Sequence, residues 1–341
     1  MTLPTTTLGP TGFELTRVGL GAWAIGGGDW QGGWGPKDDD ASVRAIHHAV
    51  ARGVNWIDTA AAYGLGHAEE VVGRAVAELP EAERPLVFTK CGLVWDPGET
   101  SVRNVLAPES IRRECEDSLR RLRLEAIDLY QLHWPTWDET PLEDSWATMA
   151  ELVDEGKVRA IGLSNFDLDE LERCHAIRRV DTLQPELNLV NREAAGDRIP
   201  WARDHGAGVI VYSPMASGLL TGRMTPERVA AMPDDDWRRG APGFQQPALG
   251  RTLELVERLR SIADELGCTL PELVVAWTLA VDGVGGAIVG ARSPEQVDGW
   301  IGAASVRLDE TALDEIAVAL EETGAGTGPV RPTRAPSDVT R

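Results

Sequence analysis

"VRAIGLSNFDLDELERCHAIRRVDTLQP", residues 158 to 185, is the stretch on which the fold turns. It reads as a strand, VRAIGLS (158 to 164), a helix opened by an Asp167-x-x-Glu170 capping box, and a second strand, TLQP (182 to 185). A strand, a helix and another strand in close succession form a parallel crossover unit. The unit recurs in both directions. Toward the N-terminus, VNWID (54 to 58) lies between helices at about 41 to 52 and 67 to 79, the second with apolar residues at 68, 71, 72, 75, 76 and 79. LVFTK (86 to 90) precedes a helix opened by Pro108, and IDLYQLH (127 to 133) precedes one that carries Leu142, Trp146, Met149 and Val153 and stops at Gly156. Toward the C-terminus come a helix over roughly 193 to 206, the strand GVIVYSP (208 to 214), two helices between about 251 and 281, the strand GAIVG (286 to 290) and a helix from Pro294.

With a first strand ending near Gly21, eight strands each precede a helix, and no Pro/Ser-rich linker divides the chain. The expected class is therefore α/β: a closed (β/α)8 TIM barrel formed as one domain over residues 1 to 341, not a doubly wound sheet with a second domain. Residues 5 to 21 read as an N-terminal β-hairpin whose turn uses Gly9, Pro10 and Gly12. Residues 213 to 250 are too many for an ordinary connection and read as a long βα loop over the barrel mouth. From about 323 the tail, TGAGTGPVRPTRAPSDVTR, has a composition that fits either disorder or draping over the surface.

Composition narrows the function. The 341 residues carry a net charge of −21, which argues against a nucleic-acid backbone as partner. No uncharged apolar run is long enough to span a bilayer, and no basic segment followed by an apolar one opens the chain, so the expected location is the cytoplasm. Cys91, Cys115, Cys174 and Cys268 are scattered without a C-x-x-C pair, so neither a metal site nor a disulfide framework is expected. GLGAWA (19 to 24) matches a dinucleotide fingerprint nominally, but Gly26, Gly27 and Gly28 stand where that fingerprint needs a helix.

In barrels of this kind chemistry gathers at the C-terminal strand ends. Here those ends are Asp58, Lys90, His133, Ser164 with Asn165, Gln184, Tyr212 with Ser213, and Gly290 followed by Arg292, while Tyr63 lies in the loop after Asp58. Asp58, Tyr63, Lys90 and His133 make sense as a unit. An ammonium beside a phenol favours phenolate, so Lys90 is expected to lower the Tyr63 pKa, with Asp58 as the counter-charge that keeps the ammonium in place. A neutral His133 would donate a hydrogen bond to a carbonyl oxygen. The set describes proton delivery to a carbonyl, and reduction then needs a hydride-bearing cofactor. Ser164, Asn165 and Gln184 suit a carboxamide, and Tyr212 suits a flat ring. The small-residue stretch SPMASGLLTG (213 to 222) suits a pyrophosphate, and Arg292 suits an extra phosphate. Trp23, Trp30, Trp34, Trp95, Trp134 and Trp137 follow strands on the same face, with Trp23, Trp30 and Trp134 the expected pocket residues for an apolar or flat carbonyl.

At these residues the chain resembles the aldo-keto reductases, most of all bacterial members related to potassium-channel β-subunits and to vegetative or inositol-cluster reductases. DTAAAYG, TK, YQLHW, GLSN, LQPELN, YSPMASGLLTG and IVGARSPEQ occur in that family's order over nearly the whole chain. The resemblance implies NADPH-dependent reduction of aldehydes or ketones by a monomer or weak homo-oligomer that needs no metal and binds the cofactor across the barrel mouth. It places catalysis on Asp58, Tyr63, Lys90 and His133. Cofactor contacts would fall on Gly21, Ala22, Trp23, Asp58, Ser164, Asn165, Gln184, Tyr212, Ser213, Pro214, Met215, Ser217, Gly218, Leu219, Gly290, Arg292 and Gln296. Where many relatives carry an asparagine four residues after the matching Gln296, this chain has Trp300, so the expected preference for NADPH rests mainly on Arg292. Two alternatives stay open: a cofactor-binding regulatory subunit with little turnover, suggested by the resemblance to channel β-subunits, and, from the residues, a lyase using Lys90 as a Schiff-base nucleophile.

Overall fold

A computed structural model describes residues 2–135, 139–234 and 236–333. The chain begins with the strands β1 (Thr5–Thr7) and β2 (Glu14–Thr16), which pair antiparallel about a turn with Gly12 at φ 75. Then follow β3 (Val18–Gly21), α1 (Asp39–Ala51), β4 (Trp56–Asp58), α2 (His67–Ala77) and β5 (Leu86–Cys91). A short antiparallel pair, β6 (Leu93–Val94) and β7 (Arg103–Asn104), precedes α3 (Pro108–Leu122). The middle of the chain runs β8 (Ile127–Leu132), α4 (Leu142–Asp154), β9 (Val158–Ser164), α5 (Leu168–Ile177), β10 (Thr182–Gln184), α6 (Arg198–Asp204) and β11 (Gly208–Val211). After α7 (Pro226–Ala230), α8 (Ala248–Glu265) and α9 (Leu270–Ala280) come β12 (Val284–Gly290), α10 (Pro294–Asp298) and α11 (Glu310–Thr323).

Eight of these strands close into one parallel barrel in the order β3-β4-β5-β8-β9-β10-β11-β12, the (β/α)8 arrangement expected from the sequence. The capping box at the head of α5 forms as read: Asp167 accepts from the Glu170 amide, and Glu170 accepts from the Asp167 amide, each at 2.9 Å.

The barrel interior is filled in layers. Trp56, Phe88, Leu129, Ala160, Ile210 and Ile288 from six strands form one apolar cluster, sealed from below by Leu8 and Leu15 of the hairpin. Trp56 fits because its neighbours are glycines: a Cβ on Gly19 would lie 2.2 Å from its ring. Its indole N–H donates to the Thr16 carbonyl at 2.8 Å. A second, larger core packs the outer strand faces against the helices.

Two helices differ from the sequence reading. The helix expected over 193 to 206 is broken into a tight turn, Glu193–Ala195, and α6. Pro200 has no N–H and is tolerated only within the first turn of a helix, so α6 must start just before it. The helix expected from Pro294 stops at Asp298, because Trp300 turns away at φ −135 to bury its indole, and α11 follows separately. The tail drapes as far as Thr333, whose carbonyl accepts from the Asp282 amide at 2.9 Å; Arg334 to Arg341 lie outside the described residues.

Beside β5, a buried carboxyl fixes a turn. The Gly92 amide donates to Glu114 at 2.8 Å and the Ser110 hydroxyl at 3.0 Å, while burial pushes the Glu114 pKa from 4.5 up to about 7. A raised carboxyl pKa favours the fold below the unfolded-state value, and that contribution is lost as pH rises through the folded-state value. At ~1.4 kcal/mol per unit this is on the order of 3 kcal/mol. Thermal melts at pH 5 and pH 8 should therefore show a smaller acid-to-alkaline loss of Tm in Glu114→Gln than in the wild type. Equal losses in the two proteins would contradict it.

Candidate active site

Side chains two apart on a strand share a face. Moving two residues up from the apolar layer turns Trp56 into Asp58, Phe88 into Lys90, Ile210 into Tyr212 and Ile288 into Gly290. Four residues up from Leu129 is His133, and four up from Ala160 is Ser164. Strand periodicity therefore delivers the polar set to one rim, directly above the apolar fill.

Lys90 is the hub. Its ammonium, fully buried, donates to Asp58 Oδ1 at 2.6 Å and to the Thr59 carbonyl at 2.8 Å, and stands 3.4 Å from Tyr63 Oη. Gln184 Nε2 donates to the other Asp58 oxygen at 2.9 Å. Burial, the largest effect on each, pushes the Lys90 pKa down and the Asp58 pKa up, opposed in part by the charge of the other. With partners on both carboxylate oxygens and around the ammonium, the pair is held ionised. The ring of His133 packs edge-on to Tyr63 with centroids 5.7 Å apart.

The phenol behaves otherwise than the sequence reading expected. Burial, reinforced by the negative charge of Asp58, pushes the Tyr63 pKa well above its ordinary value. The Lys90 ammonium, 3.4 Å away, does not reverse that rise, because burial and the charge of Asp58 outweigh it. The phenol of Tyr63 therefore stays protonated at neutral pH. Burial and the Lys90 charge push His133 well below 6.5, so its imidazole is neutral. Lys90 as a Schiff-base nucleophile is disfavoured, since its amine is protonated and committed to neighbouring oxygens.

Above this floor opens a cavity of 460 Å³. Its wall runs from Gly21, Ala22 and Trp23 past Asp58, Tyr63 and Tyr212, along the loop from Ser213 to Gly218, to Gly290, Arg292, Gln296 and Trp300. Residues 17–321 match the Aldo/keto reductase family.

The chain belongs to that family.

Among its relatives, Aldo-keto reductase YhdN of Bacillus subtilis is 38% identical over 294 residues, covering 86% of each chain. The NADH-specific methylglyoxal reductase of Escherichia coli is 36% identical over 330 residues, 92% of this chain and 98% of that one. The solved glycerol dehydrogenase AKR11B4 of Gluconobacter oxydans superposes with a TM-score of 0.84 at 39% identity, over 97% of this chain and 98% of that one. This aldo-keto reductase is accordingly an NAD(P)H-dependent oxidoreductase that acts on carbonyl compounds. None of these relatives is named for a regulatory role. No described helix is long and apolar enough to cross a membrane.

Most residues assigned to the cofactor line the cavity of this reductase, and six residues assigned to cofactor or substrate do not. Leu219 is buried in the core beneath the loop, its apolar side chain packed among core residues. Ser164, Asn165 and Gln184 do not line the cavity; they brace groups that do. Tyr212 Oη donates to Asn165 Oδ1 at 2.7 Å, Asn165 Nδ2 donates to the His133 carbonyl at 3.0 Å, and Ser164 Oγ donates to the Gln184 carbonyl at 2.9 Å. Trp134 is 43% exposed and outside the lining. Trp30 packs beside Tyr63, centroids 6.3 Å apart, without lining the cavity, and Trp137 lies outside the described residues.

Trp23 sits against Tyr63, centroids 6.2 Å apart, because two loops approach through glycine: a Cβ on Gly64, at φ 63, would lie 2.2 Å from the Gly26 carbonyl. The sequence reading missed Trp237, stacked on Trp23 at 5.5 Å, and Arg238, whose guanidinium lies 4.5 Å from the Trp34 ring centre. It also missed Arg223 and Arg228 in the cavity wall. Their signal was an arginine-rich run within the loop already set apart by its length.

Proposed function

We propose that this aldo-keto reductase reduces a flat or apolar aldehyde or ketone with NADPH, Tyr63 giving the proton. The observation that carries the reading is Lys90, buried and paired with Asp58, 3.4 Å from the phenol at the base of the cavity. The residues present fit the dinucleotide. Arg223, Arg228, Arg238 and Arg292 bring four guanidiniums to the wall of an otherwise acidic protein, and Gly218 at φ 99 leaves room for close approach to a diphosphate. The nicotinamide, when bound, supplies the hydride.

The chain's own groups do the rest. Tyr63 holds its proton at neutral pH, and the ammonium of Lys90 stabilises the phenolate left when that proton moves. Asp58 keeps the ammonium charged and in place. His133, neutral, orients the carbonyl oxygen toward Oη. Tyr212 offers its ring face to the nicotinamide, and Trp23, Trp34 and Trp237 exclude water and select flat substrates. Every group comes from one chain, so a monomer or weak oligomer suffices.

The preference for NADPH rests on Arg292, whose guanidinium is held toward the cavity by a 3.0 Å hydrogen bond to the Trp34 carbonyl. Initial rates with NADPH and NADH, over aromatic aldehydes, quinones, methylglyoxal and sugars, test the whole reading. Arg292→Ala is expected to raise KM for NADPH by about ten- to a hundredfold, the loss of a charge-assisted contact, and to leave KM for NADH nearly unchanged. A wild type that prefers NADH would refute the cofactor choice.

A further inference from the structure

Ser213, Ala216 and Ser217 stand at φ 55, 48 and 54, a region that residues other than glycine rarely occupy. Something must hold the loop there. Asn188 Nδ2 donates to the Ser213 carbonyl and to Glu186 Oε1, both at 3.1 Å, while Glu186 Oε2 accepts from Asn191 Nδ2 at 2.9 Å. Asn188 Oδ1 accepts the amides of Val190 and Asn191 at 3.0 and 2.8 Å, which folds residues 188–191 into a tight turn. That turn is fastened to the barrel by the Leu187 amide on the Tyr212 carbonyl and the Tyr212 amide on the Pro185 carbonyl, at 3.3 and 3.2 Å.

Its far side is gripped by the C-terminal segment. The Thr327 amide donates to the Val190 carbonyl at 3.2 Å and the Arg192 amide to the Thr327 carbonyl at 2.9 Å. The guanidinium of Arg192, itself buried, donates to the carbonyls of Ala325, Gly328 and Pro329 at 3.1, 3.3 and 3.1 Å. Contact is backbone to backbone: a Cβ on Gly326, at φ 68, would lie 2.1 Å from the Val190 carbonyl oxygen. Neither residues 186–192 nor segment 325–329 line the cavity.

We propose that Glu186, Asn188 and the anchored segment 325–329 are positioning residues for the dinucleotide, setting the 213–218 loop through the Asn188–Ser213 hydrogen bond without touching the cofactor. This rests on the reading that the loop holds the cofactor's phosphates. Preorganising that loop lowers the ordering cost of binding, so the effect appears in cofactor affinity and not in the chemical step.

Two variants loosen the clamp from opposite sides. Asn188→Asp keeps the turn's acceptor oxygen but removes the donor to Ser213, and Gly326→Ala pushes the tail off Val190. Ser217→Asp places a carboxylate in the loop itself. Tryptophan fluorescence, with 12 reporters in the chain, reads Kd for NADPH, and steady-state rates read KM and kcat. Both clamp variants should bind NADPH about tenfold more weakly, with carbonyl KM and saturating kcat within about twofold of wild type, and Ser217→Asp should bind more weakly still. Wild-type Kd in both clamp variants, with Ser217→Asp impaired, overturns the clamp alone. Wild-type Kd in Ser217→Asp overturns the loop reading as well. Parallel loss of kcat, carbonyl KM and Tm in the clamp variants marks a merely structural role and also overturns the proposal.

Discussion

Tyr63→Phe is expected to bind NADPH within about twofold of wild type and to lower kcat by about a thousandfold, the mid-range worth of a positioned general acid. The substitution removes one oxygen and leaves the ring packed against Trp23 and His133. Fold and cofactor site are therefore preserved, and the loss reports on the proton alone. With the phenol pushed up and the imidazole pushed down by burial, neither group changes charge between about pH 6 and 9, so wild-type kcat for reduction should be nearly flat there. Fluorescence titration and steady-state rates on the same preparations check both statements. A Phe variant with near-normal turnover would show that the proton comes from elsewhere.

Lys90→Met is the second large effect, and it separates catalysis from stability. Removing the ammonium leaves Asp58 buried with, among the described residues, only Gln184 as side-chain partner, and breaking a buried pair this way costs about 3 to 5 kcal/mol. It also leaves a phenolate at Tyr63 without its counter-charge, so kcat is expected to fall by at least about a hundredfold. The double variant Asp58→Asn with Lys90→Met removes both charges at once. Its Tm should recover much of the loss while kcat does not. Recovery of kcat together with Tm would mean that the pair serves the fold only.

The barrel and the rim were legible because a strand's period of two is rigid. Once VNWID, LVFTK and GVIVYSP are strands, Asp58, Lys90 and Tyr212 must share the face of Trp56, Phe88 and Ile210. Helix ends were less legible: the break before Pro200 follows from a missing N–H, but the sign lay inside an otherwise helical run. The long loop was marked by its length, yet nothing local says that Trp237 stacks on Trp23 or that Arg238 covers Trp34, since those contacts join residues some 200 positions apart. The bracing roles of Ser164, Asn165 and Gln184 were hidden because they depend on which neighbouring group each polar side chain turns toward, and strand periodicity does not fix that. The direction of the Tyr63 shift was misjudged because a sequence names a neighbouring charge but not how dry the site is, nor how far burial and a second, negative charge outweigh the first.

The most direct measurement is a crystal structure of the chain with NADP+ and an unreactive carbonyl or carboxylate ligand. Tyr63 Oη and a ring nitrogen of His133 should both lie about 3 Å from one ligand oxygen, with the nicotinamide against the ring of Tyr212. A ligand oxygen held by other groups, with Tyr63 more than about 5 Å away and no water between, would contradict the assignment of the proton to this phenol.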